Sequence, residues 1–168
     1  MKIRAAVITV SDKGSRGERE DVSGPLLASR LEEIGAEVVE QFILPDEPDQ
    51  IAAALMELAD SGEIDLIMTS GGTGAAPRDR TPEATLEVID RRMPGLAEIL
   101  RLEGYKKTPF AVLSRGVAGL YKGCLIVNLP GNPNAVRDDM DILESLLPHA
   151  IQMAKGEHLE HESEEDEG

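Results

Sequence analysis

The chain has 168 residues, enough for one ordinary domain with its own core. Its formal net charge is −15, and no basic face is visible that would grip a nucleic-acid backbone. Hydrophobic residues make up 41% but aromatics only 2%, so aliphatic side chains must do the packing, which favours a sheet flanked by helices over a small aromatic barrel.

Ile3 to Val10 is apolar and rich in β-branched residues, as expected of a strand buried on both faces of a parallel sheet. The run is strand-length and lacks the long apolar core and cleavage site of a signal peptide. A polar, Gly-rich loop follows from Ser11 to Gly24. Ser23 is expected to cap a helix with Pro25 just inside it, running to about Ile34 and stopped by Gly35. Glu37 to Leu44 alternates as a second strand, and Pro45 to Pro48 turns the chain into an amphipathic helix, Asp49 to Ala59. Ile64 to Thr69 is a third strand running straight into Ser70-Gly-Gly-Thr-Gly74. Thr81 is the expected cap of the next helix, with Pro82 in its first turn, and Pro94 to Glu103 is a further helical segment. Phe110 to Leu113 and Cys124 to Leu129 are predicted strands. Cys124 is the single cysteine, so no disulfide or Cys-x-x-Cys metal site can form within the chain, which suits a reducing cytoplasm. Pro130-Gly-Asn-Pro133 breaks the chain again, and Asn134 to Lys155 is mostly helical with a break at Pro148. No stretch reaches the ~18 apolar residues that would span a bilayer. Glu157 to Glu167 is polar and acidic, so residues 1–156 are expected to form the domain and 157–168 a disordered tail.

Strand and helix alternate, which predicts a mainly parallel sheet covered on both faces. The unusual loops after Val10, Leu44, Thr69 and Leu129 would then all open at the carboxyl ends of strands, where ligands of such sheets collect. In the loop Ser70, Gly71, Gly72, Thr73, Gly74, consecutive glycines let backbone amides approach an anion, although the same turn also serves packing alone. It is not a Walker A loop, because no Lys follows the glycines. Asp79, between Arg78 and Arg80, is suited to a divalent cation beside phosphates, or equally to a helix cap. Asp46 lies in a stiff Pro-flanked turn, either a second acidic site or an Asx turn. The Ser11-Asp12-Lys13-Gly14 segment and Ser114-Arg115 add hydroxyls and charge, with solvated loop and strand exit as the plain readings. The three histidines have no ligand spacing, and neither zinc chemistry nor a Cys–His nucleophile is supported.

Taken together, Thr9-Val-Ser-Asp-Lys13, Asp21-Val-Ser-Gly-Pro25, Leu44-Pro-Asp46, Thr69-Ser-Gly-Gly-Thr-Gly74, Arg78-Asp-Arg-Thr-Pro-Glu-Ala84 and Leu129-Pro-Gly-Asn-Pro133 resemble, in order, the motifs of the molybdopterin adenylyltransferase family, which includes the gephyrin G domain and its plant counterpart. The resemblance covers Lys2 to about Lys155. It implies a single-domain three-layer α/β/α sandwich, usually a homotrimer, that transfers AMP from Mg-ATP to the terminal phosphate of molybdopterin and hands the product to a molybdate-insertion enzyme. It implies Asp46 and Asp79 as the acidic catalytic pair and holders of Mg²⁺, Ser70 to Gly74 as the nucleotide loop, and Ser11, Asp12, Ser114 and Arg115 on the pterin side. Two alternatives share the fold. One is a carrier that binds molybdopterin without catalysis. The other is a CinA-like or molybdate-insertion enzyme, whose extra domains 168 residues cannot hold.

Overall fold

Successive residues of the central strands enter two different cores, and this alternation gives the molecule its layers. A computed structural model describes residues 2–157, so the tail expected at residues 157–168 lies, apart from Glu157, outside the described residues. The strands are β1 (Arg4–Val10), β2 (Glu37–Leu44), β3 (Leu66–Ser70), β4 (Arg91–Arg92), β5 (Ala118–Tyr121) and β6 (Cys124–Leu129). The helices are α1 (Asp12–Ser15), α2 (Ser23–Glu33), α3 (Pro48–Asp60), α4 (Thr81–Val88), α5 (Pro94–Tyr105), α6 (Pro133–Leu143) and α7 (Leu147–Ala154). Ala5, Val7, Leu66, Met68, Leu125 and Val127 face α2, α5, α6 and α7, whereas Ala6, Ile8, Ile67, Cys124 and Ile126 face α3 and α4. The result is the expected three-layer α/β/α sandwich.

Strand order is β2-β1-β3-β6-β5-β4. The first four strands are parallel, and β5 and β4 add an antiparallel edge. The pairing of β1 with β2 contains a bulge: Ala5 faces Val38 but Ala6 faces Glu40, so Val39 is the extra residue. Downstream of it, Val10 pairs with Leu44.

At the antiparallel edge one expectation fails and one strand was not expected. Phe110 to Leu113 is not a strand but part of a 3-10 turn, Pro109–Leu113, with Phe110 74% and Leu113 63% exposed. Pro109 starts the turn, and the sheet position is taken instead by β5. That strand escaped the sequence reading because it is only Ala-Gly-Leu-Tyr, yet its hairpin signal is present. Lys122 and Gly123 both have positive φ, at 48° and 80°, between the paired Tyr121 and Cys124, a type I′ arrangement. The helical run after Asn134 does break, at residues 144–146, and Pro148 falls in the first turn of α7, where its missing N–H costs nothing.

Two caps also differ. Ser23 does not cap α2; its hydroxyl donates to the Gly131 carbonyl at 2.6 Å. Asp21 does that work, accepting from the Gly24 amide at 2.9 Å and from the Thr9 hydroxyl at 2.7 Å. Thr81 lies inside α4, and its buried hydroxyl has no partner.

Candidate active site

Because β1, β2, β3 and β6 run parallel, the loops after them open at one end of the sheet. From β1 the chain moves outward to β2 and then returns to lay β3 on the opposite side, so the loops after β1 and β3 diverge. At that crevice lies a cavity of about 1250 Å³. This exceeds the roughly 300–1,000 Å³ usual for one small ligand.

The glycine loop forms one wall. Gly71 has φ +107°, and a β-carbon there would sit 2.2 Å from the Val10 carbonyl oxygen. Gly72 has φ +68°, and its β-carbon would meet Thr81 Oγ1 at 2.2 Å and Asp46 Oδ1 at 3.1 Å. Glycine is therefore required by both conformation and space. Gly71 N–H donates to the Leu129 carbonyl and Ser70 Oγ to the Pro130 carbonyl, both at 2.9 Å, which pins this loop to the one after β6. Among the described residues, the amides of Gly72, Thr73 and Gly74 find no protein acceptor and can receive an anion.

Three acidic residues surround this wall. Asp12 and Asp46 exchange bonds: the Asp12 amide donates to Asp46 Oδ2 at 3.0 Å, and the Asp46 amide to Asp12 Oδ1 at 2.9 Å. Arg78 donates to both oxygens of Asp12, at 2.6 and 3.0 Å, and to Glu47 at 2.9 Å. The Arg78 hydrogen bonds, then that from the Asp46 amide, hold the Asp12 carboxyl down at about 2. Asp46 goes the other way. Burial pushes its carboxyl above the ordinary value, and the charges of Asp12 and Asp79 add to the push. Asp79 Oδ2 accepts from the Ala76 amide at 3.0 Å, and the oxygen stands against Gly74. Two half-buried carboxylates, Asp46 and Asp79, thus stand beside the free amides of the glycine loop on the cavity wall.

The chain matches the model of the probable molybdopterin-binding domain over residues 6–149. The chain belongs to that family. It is 36% identical to a molybdopterin adenylyltransferase of Helicobacter pylori over 160 residues, covering 94% of this chain and 91% of that one. It is 38% identical to the enzyme of that name from Pyrococcus furiosus, covering 89% of each. Among solved structures, MoaB of Thermus thermophilus superposes with a TM-score of 0.87 at 49% identity, over 92% of this chain and 97% of that one. A CinA protein of Thermoplasma acidophilum, at 22% identity, shares the fold only.

Within this molybdopterin-binding fold, Asp46, Asp79 and Ser70 to Gly74 line the cavity together with Ser11 and Ser114. Asp12 and Arg115, expected on the pterin side, are not in its lining. Asp12 is consumed by Arg78 and Asp46. Arg115 braces the glycine wall from behind, donating to the carbonyls of Gly74 at 2.8 Å and Asp79 at 2.7 Å and to both oxygens of Glu83 at 2.8 Å. Ser114 follows the 3-10 turn rather than a strand, and the Gly116 amide donates to its hydroxyl at 3.3 Å.

The structure also adds lining residues that the sequence reading missed. Asn128 on β6 is buried and donates to Thr69 and Thr85, each at 3.0 Å, while accepting from the Val117 amide at 3.2 Å. Asp139 on α6 is 6% exposed. Its signal was available: it lies on the face that carries Val136, Met140 and Leu143, where the helical period calls for an apolar residue.

Proposed function

We propose that the chain is a molybdopterin adenylyltransferase, joining the α-phosphoryl group of ATP to the terminal phosphate of molybdopterin. An oxygen of that phosphate bonds to the α-phosphorus. The bond from the α-phosphorus to the bridging oxygen breaks, and pyrophosphate leaves with the electron pair. The observation that carries this reading is a single cavity larger than is usual for one small ligand, walled by unpaired glycine-loop amides and by Asp46 and Asp79. The nucleophile is already ionised at neutral pH, so no general base is needed, and catalysis reduces to positioning and charge neutralisation. Cys124, buried and pushed up to about 12 by that burial, is not a nucleophile candidate.

Mg²⁺ fits the donors present. Asp46 and Asp79 are hard oxygen ligands, Arg78 is committed to Asp12 and Glu47, and the burial that raises the Asp46 carboxyl favours a cation beside it. Asp46 and Asp79 would hold the ion, which supplies charge neutralisation on the ATP phosphates when bound. The amides of Gly72 to Gly74 would hold phosphate oxygens, and Ser11 and Ser114 would meet the pterin substrate. The exposed apolar side chains Leu102 and Tyr105, outside the cavity lining, support subunit contacts such as those of a homotrimer. A reduced, buried Cys124 suits the cytoplasm, and no helix among the described residues is long and apolar enough to cross a membrane. The product would pass to a separate molybdate-insertion enzyme. The direct test is incubation with molybdopterin and Mg-ATP, with adenylylated pterin and pyrophosphate expected by mass spectrometry. Pterin binding without any product would leave only a carrier.

A further inference from the structure

We propose that Asp139 is the residue that reads the pyrimidine edge of the bound pterin; the proposal rests on the adenylyltransferase reading above. Asp139 lines the cavity from α6 and is 6% exposed. The nearby cation, Lys107, is committed to Asp138 at 2.8 Å. Among the described residues no group donates a hydrogen bond to the Asp139 carboxyl, whose surroundings are burial, the Asp138 charge and a partly compensating Lys107. Burial, then Asp138, raises this carboxyl to about 7. A buried carboxyl with no donor costs stability. Here it stands on a wall that a ligand can reach, in the place of an apolar residue.

Chemistry selects the ligand edge. The aminopyrimidinone of a pterin presents two adjacent donors, the exocyclic amine and a ring N–H, which match the two oxygens of one carboxylate. Adenine presents a donor beside an acceptor, and an ionised carboxylate can satisfy only the donor. Leu100, Phe110 and Leu113 line the same cavity and suit the flat faces of a heterocycle. Asp139 lies roughly 10 Å along the helix axis from the Asn132 cap, next to the loops that pin the glycine wall, which leaves room for the phosphate-bearing part of the substrate between the two.

Two probes isolate the edge: 6-hydroxymethylpterin, and the matching lumazine in which a carbonyl replaces the amine. In fluorescence titrations the intact protein is expected to bind the pterin at least about tenfold tighter than the lumazine. In Asp139→Asn the preference is expected to collapse to about twofold or less, with the KM for molybdopterin raised and that for ATP unchanged. A wild-type protein with no preference overturns the proposal, even if the variant does not fold. So does a folded variant that keeps the preference, or one in which only the KM for ATP moves. The two readings fail separately. A protein that prefers pterin but makes no adenylylated product loses the proposed activity and keeps the role of Asp139. One that adenylylates molybdopterin without discriminating the probes keeps the activity and loses that role.

Discussion

Around the glycine wall, charged groups are paired across loops: Asp12 with Asp46 and Arg78, Arg78 with Glu47, and Arg115 with Gly74, Asp79 and Glu83. Along α5 and the 3-10 turn the pattern reverses. Leu102, Tyr105, Phe110 and Leu113 stand exposed, and Asp139 is buried with nothing donating to it. The first region is organised before any ligand arrives, as electrostatic catalysis requires. The second has unmet contacts and makes sense only with something bound or docked against it. On the proposed reading, chemistry and recognition are divided between these two regions.

The sharpest way to break this division is at the acidic pair. Asp46→Asn and Asp79→Asn keep side-chain shape, so both variants are expected to fold and to bind molybdopterin, while turnover at saturating Mg-ATP falls on the order of a hundredfold or more. Near wild-type turnover would reduce the pair to turn residues. Next comes Gly72→Ala. It forces a β-carbon against Thr81 Oγ1 and Asp46 Oδ1 at a positive φ, and is expected to cost about 1–3 kcal/mol in denaturant unfolding. An unchanged midpoint would mean that the wall yields easily and is not preorganised.

Asp139 gives a smaller effect of opposite sign. Its carboxyl is raised from an ordinary 3.8 to about 7, so the folded state holds the proton more tightly than the unfolded one. The stability linked to that proton is fully present below about 4 and lost as pH rises through about 7. Asp138 and Lys107 are the charged groups beside it. Asp139→Asn is therefore expected to raise Tm more at pH 8 than at pH 5, and equal changes would show that the group is not desolvated. The mildest test changes no residue. Light scattering at micromolar concentration is expected to give three times the chain mass, and a monomer throughout would leave the exposed edge to ligand contact alone.

The same division governs what could be read from the sequence. The parallel half was legible because β1, β3 and β6 are continuous apolar runs and β2 alternates, each ended by a loop rich in turn-forming Gly or Pro. The antiparallel edge was not. β5 is four residues long, β4 two, and the apolar Phe110-Ala-Val-Leu113 has strand composition but no neighbouring strand to pair with. Site residues on loops were named by their chemistry. The partners of Asp12 and Arg115 could not be, because each depends on which loops the fold brings together. Asn128 and Asp139 were hidden differently: both sit inside regular elements, where a polar residue reads as an interruption until burial shows that it is enclosed.

The bulge at Val39 acts at a distance as a length standard for the loop that follows β2. The strand enters with Val38 toward one core and Val39 toward the other, and the extra residue then sets Phe42 and Leu44 beside Ile8 and Val10. Two residues on, Asp46 arrives opposite Asp12 in step, so that each backbone amide meets the other's carboxylate. Regular pairing through Val39, without the bulge, would slip every later residue by one, turn the remainder of the strand over and present the wrong side of the turn to the cavity. The aim of a carboxylate in the cavity is thus calibrated near the opposite end of its strand, by a residue that touches no ligand.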